Sequence, residues 1–383
     1  MNHVKRVRRS RTLTAAQSLR LAVALLSGVS ALVLQGCGGS DAHAEMRKGA
    51  QATAWGAPYP NMPDIVPPNV RQDEYLPLTS DQAGPAIDPV KGYQLLNLGG
   101  GVYMVGDGIY NTMFVVSDAG VILCDAPATL GPKIVSAIQE AAPGATIVTM
   151  VYSHAHLDHI GYAGEILKTN PGMQIIAHEE TRKTLAFAND PKRPLPTQTF
   201  NTQDVDFPVV AGNQKLLLRF PGPNHDRGNI GIYHPGQKVL MLVDVVYPGW
   251  MMWRRMGLAT DIPGYYALVS SINARWDFDK LIAGHFQPGS KTDVTNQLEF
   301  MTDLHNAVTE AISTVPYADP MLAAADVKNS WAATRSWTDR LTNYCVNKVS
   351  PKWGTRLAAY DVWIYEQCEA LEQSIRIDGP SLR

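Results

Sequence analysis

His154, His156, Asp158 and His159 fall within six residues of one another, in a stretch (151–164) that reads VYSHAHLDHIGYAG. Imidazole and carboxylate are borderline-to-hard ligands, a mix that suits zinc first, with iron or manganese also accommodated. His154 and His156 are two apart, so on an extended segment they point to one side, and Asp158 continues that rhythm while His159 turns away. An alternating trio with one offset neighbour can serve two ions a few ångströms apart, where four ligands on one regular helix could not.

Such a constellation needs a rigid base. The apolar run 146–152 reads as a buried strand, and a helical pattern follows the motif. A strand ending in a short loop aims side chains outward from a fixed support. The same arrangement recurs along the chain. His225 (in GPNH), Asp244 and His285 (in IAGHFQPG) each stand where an apolar run meets a loop. Strands are expected at 102–105, 111–117, 121–124, 173–177, 215–220, 230–234 and 238–243, the last two joined by Pro235-Gly236-Gln237, a hairpin signal. Helices are expected at 133–141 and 165–168, and from His178, which at an element boundary reads as a structural histidine rather than a ligand.

SHAHLDH resembles the signature of the metallo-β-lactamase superfamily, and the matching blocks occur in order over roughly residues 93–288. The resemblance implies an α+β fold, a four-layer αββα sandwich. It implies two metal sites, one of His154, His156 and His225 and one of Asp158, His159 and His285, with Asp244 bridging them. The implied cofactors are two Zn2+, with Fe or Mn possible. Two such ions at close range would lower the pKa of a shared water, so that a bridging hydroxide attacks a polarised carbonyl at neutral pH. Asp158, partly a ligand, would orient the nucleophile or shuttle a proton to the leaving group. Asp125 matches an aspartate that in relatives braces a ligand loop from behind. Relatives that destroy β-lactams usually carry Cys or Ser at the place of Asp244, whereas Asp resembles the thioester, lactone and phosphodiester branches. Tyr247 would correspond to the tyrosine that in lactonase relatives donates a hydrogen bond to the substrate carbonyl.

The sequence Trp250-Met251-Met252-Trp253 follows at once, then Arg254 and Arg255. The aromatic and methionine residues either wall an apolar pocket beside the metals or form an ordinary buried loop. Either arginine is placed to meet a substrate carboxylate or to face water.

The chain has 383 residues, 45% hydrophobic and 18% charged, an ordinary globular composition. Its net charge of −2 is uneven: residues 1–36 carry +6, leaving −8 for the rest. A mildly acidic remainder without a basic patch argues against a nucleic-acid partner and for a small-molecule substrate. The basic start is followed by an apolar run, 21–34, too short to span a membrane but suited to a signal peptide. Leu34-Gln35-Gly36-Cys37 resembles a lipobox, which would anchor the protein to a membrane through a lipid on Cys37 and place it on the periplasmic face of the outer membrane or in the periplasm. The alternative is plain secretion with cleavage after residues 42–44.

The expected organisation is a lipoprotein-type signal peptide at 1–36, a Pro/Gly-rich tether at 37–90, the catalytic domain at 91–292 and a helical C-terminal extension at 293–383. Helices are expected at 293–313, 321–334, 337–346 and 357–375. The extension would cover the active site, form a dimer interface or brace the core. Cys345 and Cys368 are a candidate disulfide in an oxidising compartment, and Cys124 is expected to stay reduced. The expected function is an exported dinuclear zinc hydrolase that cleaves an ester, thioester or lactone. Its rivals are a β-lactamase, a phosphodiesterase and a non-catalytic surface lipoprotein.

Overall fold

Strict alternation of side-chain direction along the strands builds the layers. In β4 (Gly120–Cys124), Val121 and Leu123 enter one hydrophobic cluster while Ile122 and Cys124 enter another on the opposite face. The computed structural model describes residues 75–79, 82, 84, 86–317 and 329–379. The expected signal segment, Cys37, the alternative cleavage point and most of the tether lie outside the described residues.

Seven strands form the first sheet in sequence order: β1 (Gln94–Gly99), β2 (Val102–Gly106), β3 (Asn111–Ser117), β4, β5 (Ile147–Val151), β6 (Gln174–His178) and β7 (Gln198–Phe200). Its first four strands pair antiparallel, and β4 to β7 pair parallel. The parallel pairs require crossovers, which α1 (Gly131–Ala141), α2 (Leu157–Ile160), α3 (Ala163–Thr169) and α4 (Glu179–Ala188) supply. The second sheet has five strands: β8 (Phe207–Ala211), β9 (Gln214–Arg219), β10 (Gly231–His234), β11 (Val239–Met241) and β12 (Lys280–Ile282). The expected hairpin at 235–237 joins β10 to β11.

Three clusters divide the core. Leu130, Ile134 and Ile138 around α1 pack with Phe114 and Leu123 on the outer face of the first sheet. Met104, Ile122, Leu216, Leu218 and Met241 fill the space between the sheets. Leu240 and Leu281 cover the outer face of the second sheet against α5 (Ile262–Arg275), α6 (Lys291–Thr314), α7 (Ser330–Trp353) and α8 (Tyr360–Asp378). The result is the αββα order, helices outside and two sheets inside, with a helical C-terminal region.

Helix α6 begins at a capping box, Ser290 with Asp293, and runs past the expected boundaries at both ends. Helix α5 has no counterpart in the sequence reading. Tyr265, Tyr266, Leu268, Val269 and Ile272 are buried at helical spacing, but the outward positions Ala267, Ser270, Ser271 and Ala274 carry no charge, so the contrast between the two faces is weak in the sequence. The segments 321–334 and 337–346 were expected as separate helices. Residues 321–328 lie outside the described residues; after the Asn329 cap, α7 (Ser330–Trp353) runs without a break from the end of the first segment through the second, and continues through Pro351 in its last turn. Cys345 and Cys368 are disulfide-bonded and tie α7 to α8, while Cys124 is free and buried. The helices past His285 brace the core, since Phe300, Leu304, Val349 and Leu371 share one cluster with Leu240 and Leu281.

Candidate metal centre

The loops that carry the candidate ligands leave the ends of the strands at one edge of the sandwich. After β5 the chain passes Ser153 and His154 to His156, which is the N-cap residue of α2. Asp158 and His159 then lie within that short helix. A buried asparagine pair links two further ligand loops. Asn224 Oδ1 accepts the backbone N–H of His225 at 2.7 Å, while Asn229 Nδ2 donates to Asn224 Oδ1 at 3.1 Å and to the carbonyl of Val243 at 2.9 Å. Asp244 then follows with its backbone N–H on the carbonyl of Ala283. Asn111 exchanges backbone and side-chain hydrogen bonds with Gly284, which holds the His285 loop against the start of β3. Gly284 has φ +89°, and a Cβ there would stand 2.6 Å from Val243, so the turn requires glycine.

All seven expected ligands converge. His154, His156, His225 and Asp244 form one group, and Asp158, His159, Asp244 and His285 form the other. Within each group the ligand-capable atoms lie within 4.8 Å of one another. Asp244 is common to both: Oδ2 is 3.1 Å from His159 Nε2 and 3.2 Å from His225 Nε2, and Oδ1 is 3.0 Å from His285 Nε2. His225 Nε2 and His156 Nδ1 are 3.0 Å apart. His154 Nε2 is buried and makes no hydrogen bond with the described residues. An unpartnered buried nitrogen is costly by about 1–3 kcal/mol. A cation at the convergence point removes that cost, so the donor set fits a divalent metal.

Two aspartates at the site adopt a left-handed backbone conformation, Asp125 at φ 63° and Asp244 at φ 61°. Such conformations are uncommon outside glycine, Asn and Asp, and they cluster at functional sites. Asp125 is fully buried behind the motif loop, where its Oδ1 accepts the backbone N–H of Ser153 at 2.7 Å. Ser153 Oγ in turn lies 2.9 Å from His154 Nδ1. With Nδ1–H donating to that hydroxyl oxygen, Nε2 of His154 is bare and available to a metal.

The electrostatics follow from burial and crowding. Burial pushes the His154 imidazole well below its usual range, helped by the crowding of the neighbouring imidazoles, which disfavours a further positive charge. Burial also lowers His225, to about 4. Both are therefore neutral, the form that ligates metal. Burial opposes charge on His159, yet the Asp244 carboxylate outweighs it and raises the group to about 9. Burial likewise disfavours ionised Asp244, but His159, His285 and His225 together hold it well below the ordinary carboxylate range. Burial lifts Asp125 to about 7.

Tyr247 is buried, with its ring stacked 6.1 Å from that of His285, and it lines the cavity at the site. Tyr110, which the sequence reading passed over, packs at 4.8 Å on His285 and 5.5 Å on His159. Burial and the Asp158 carboxylate push its phenol up to about 12. Its one sequence signal is its position one residue before β3; that its backbone bridges to His285 is seen only in the fold. Asp226 was also passed over, and its Oδ2 lies 3.8 Å from His156 Nε2.

A cavity of about 660 Å³ opens over the ligand groups. Trp250, Met251 and Trp253 line it, so the aromatic stretch is a pocket wall. Met252 instead enters the core. Of the two alternatives for Arg254 and Arg255, a substrate carboxylate or water, the structure favours the second, since neither lines this cavity and the Arg254 side chain is 53% exposed. Arg255 Nη1 lies 3.4 Å from Glu369 and Arg254 Nε 4.0 Å from Glu366, so both are drawn to α8. His178 caps α4, with Nδ1 accepting from Glu180 N–H, and stacks on Phe220 at 3.9 Å, away from both ligand groups.

A family model described as the metallo-beta-lactamase superfamily matches residues 105–307. The alpha subunit of 2,4-dinitroanisole O-demethylase from Nocardioides sp. (strain JS1661) is 28% identical over 199 residues, covering 47% of this chain and 60% of that protein. The match thus spans less than two thirds of that subunit. The beta subunit of the same enzyme is 25% identical over 283 residues, covering 71% of this chain and 78% of that protein. A solved metallo-beta-lactamase from Pontibacter korlensis aligns with a TM-score of 0.46 and 19% identity, covering 54% of this chain and 97% of that one.

Proposed function

This chain belongs to the metallo-beta-lactamase superfamily, and from that membership we propose that it is a dinuclear zinc hydrolase acting on an ester, thioester or lactone. The observation that carries the reading is the convergence of seven ligand side chains in two groups that share Asp244, beneath a largely apolar cavity. Two ions held there supply Lewis acidity and a water of lowered pKa.

The chain's own residues do the rest. His154 and His225, neutral through burial, would hold one ion with His156, and Asp244, whose two carboxylate oxygens lie near different histidines, would contribute to both groups. The Asp158 side chain, 43% exposed, faces the cavity. There it accepts a proton from the attacking water and returns it to the leaving oxygen or sulfur, so that water adds across the scissile bond and no proton is left over. Burial keeps the phenols of Tyr110 and Tyr247 protonated, which makes each a donor toward a substrate carbonyl. The apolar walls exclude bulk water and strengthen these contacts.

A second reading, hydrolysis of an activated aryl alkyl ether, is supported by the likeness to the two O-demethylase subunits together with the aromatic walls of the cavity. Export is proposed on the basic and apolar start of the chain and on the disulfide, which suits an oxidising compartment.

The deciding experiment combines elemental analysis of the purified protein with a substrate panel: a p-nitrophenyl ester, a homoserine lactone, a thioester, nitrocefin, bis-p-nitrophenyl phosphate and 2,4-dinitroanisole. The expected result is close to two zinc ions per chain and turnover within the ester, thioester and lactone group, with Asp158→Ala lowering kcat by roughly 10²–10⁴. Turnover of 2,4-dinitroanisole alone would select the ether reading. Metal binding without turnover of any member would refute both.

A further inference from the structure

Large apolar side chains exposed to solvent gather at the mouth of the catalytic cavity. Ile109, Trp253 and Leu258 are 56%, 49% and 52% exposed, and all three line it. Such a concentration of exposed apolar surface around a concave site marks a place where something apolar binds. Trp253 does not stand alone. Its ring packs against Trp363 with centroids 5.0 Å apart and planes tilted by 54°. Deeper in, Trp250 stacks on Phe286 at 4.0 Å, nearly parallel.

Trp363 comes from α8, far along the chain from His285, and α8 also fixes its partner. Gln367 Nε2 donates to the carbonyls of Met252 and Trp253, while Gln367 Oε1 accepts the backbone N–H of Met256 at 2.6 Å. These bonds hold a left-handed turn, with φ between 55° and 66° from Arg255 through Leu258, that brings Gly257 and Leu258 to the cavity. Four successive residues in that conformation are strained unless the surroundings impose it. The aromatic wall is therefore built and clamped by the C-terminal helix.

The charges around the cavity narrow the ligand. Arg193, which lines it, is engaged by Asp190 at 3.1 Å and by the carbonyl of Ala155 at 2.7 Å. Arg254 and Arg255 are drawn to α8. No uncommitted lysine or arginine among the described lining residues offers itself to an anionic substituent.

We infer that Trp253 and Trp363 form a subsite for an uncharged aromatic ring carried by the substrate next to the scissile bond. The inference rests on the reading of this cavity as the reaction chamber, but it is a statement about binding and can be tested apart from turnover. The measurement is calorimetric titration of 2-naphthol into the zinc-loaded protein, beside hydrolysis of 2-naphthyl acetate and ethyl acetate. The wild type is expected to bind 2-naphthol and to show the lower KM for the naphthyl ester. Trp363→Ala is expected to weaken naphthol binding roughly three- to tenfold and to raise the naphthyl-ester KM more than it changes kcat. Trp363→Phe, which keeps a ring, is expected to recover most of the loss. Ile109→Trp narrows the mouth without touching α8 and is also expected to weaken binding, so the outcome does not depend on the folding of the helix variants. Naphthol binding that neither Trp363→Ala nor Ile109→Trp changes overturns the subsite. Binding that responds to both variants without hydrolysis of either ester supports the subsite and removes the ester reading. Hydrolysis of both esters at equal KM with no naphthol binding leaves the hydrolase and overturns the subsite.

Discussion

The carboxylate of Asp125 accepts a 2.7 Å hydrogen bond from the backbone N–H of Ser153, so a fully buried acid stands directly behind the loop that presents His154. Removing the acceptor frees that loop. Asp125→Ala is expected to weaken affinity for an added divalent metal by roughly 10- to 100-fold. Asp125→Asn keeps an acceptor and tolerates the left-handed backbone, so it should lose far less. Competition with a chromophoric chelator measures both. Equal losses in the two variants would show that charge, rather than the hydrogen bond, is what matters.

Gln367 makes three hydrogen bonds to the backbone of the 252–256 segment. Gln367→Leu has similar bulk but leaves those buried groups unpaired, at roughly 1–3 kcal/mol for each group left unsatisfied. Chemical denaturation should show a clear loss of stability. Proteolytic cleavage in the 253–259 stretch should also become faster, because nothing then imposes the left-handed turn.

The Cys345–Cys368 bond closes a loop with a sequence separation of 23 between α7 and α8. Replacing both cysteines with serine is expected to cost roughly 2–4 kcal/mol, read from denaturation midpoints. A stability unchanged by that replacement, or by reduction of the native protein, would rule out a structural role for the bond.

His178 and His234 are buried neutral, and in each Nδ1 accepts a backbone N–H, from Glu180 and from Gln237 respectively. Burial lowers both groups below the ordinary 6.5. The unfolded chain therefore takes up protons first as pH falls, and their contribution to stability is fully present above about 6.5 and lost below it. The urea midpoint should drop between pH 7.5 and 5.5. His234→Gln should flatten part of that slope, which separates it from the protonation of metal ligands.

The metal chemistry was legible because it is written locally. Four ligand-capable residues lie within six positions after one apolar strand, and His225, Asp244 and His285 each follow an apolar run. The strands were legible for the same reason, since β4 and β11 alternate between two buried faces and their turns carry Gly and Pro. Helix α5 was not, because its outward positions Ala267, Ser270, Ser271 and Ala274 are small and uncharged, so its two faces differ little in the sequence. The sequence left Arg254 and Arg255 open between a substrate carboxylate and water, because nothing near them in sequence announces Glu366 and Glu369.

Residue types and short spacings thus decide which atoms can ligate a metal and which face of each strand is apolar, because a period of two and a loop of a few residues are properties of the local backbone. The packed chain alone decides that one carboxylate, Asp244, meets histidines from three other loops. It also decides that Tyr110 lies against His285, that Asn229 joins two ligand loops, and that Trp363 meets Trp253. Those contacts join residues far apart in sequence, as the 111-residue gap between Met256 and Gln367 shows. Contacts of that kind are set by how the layers pack around their cores, which no local pattern encodes.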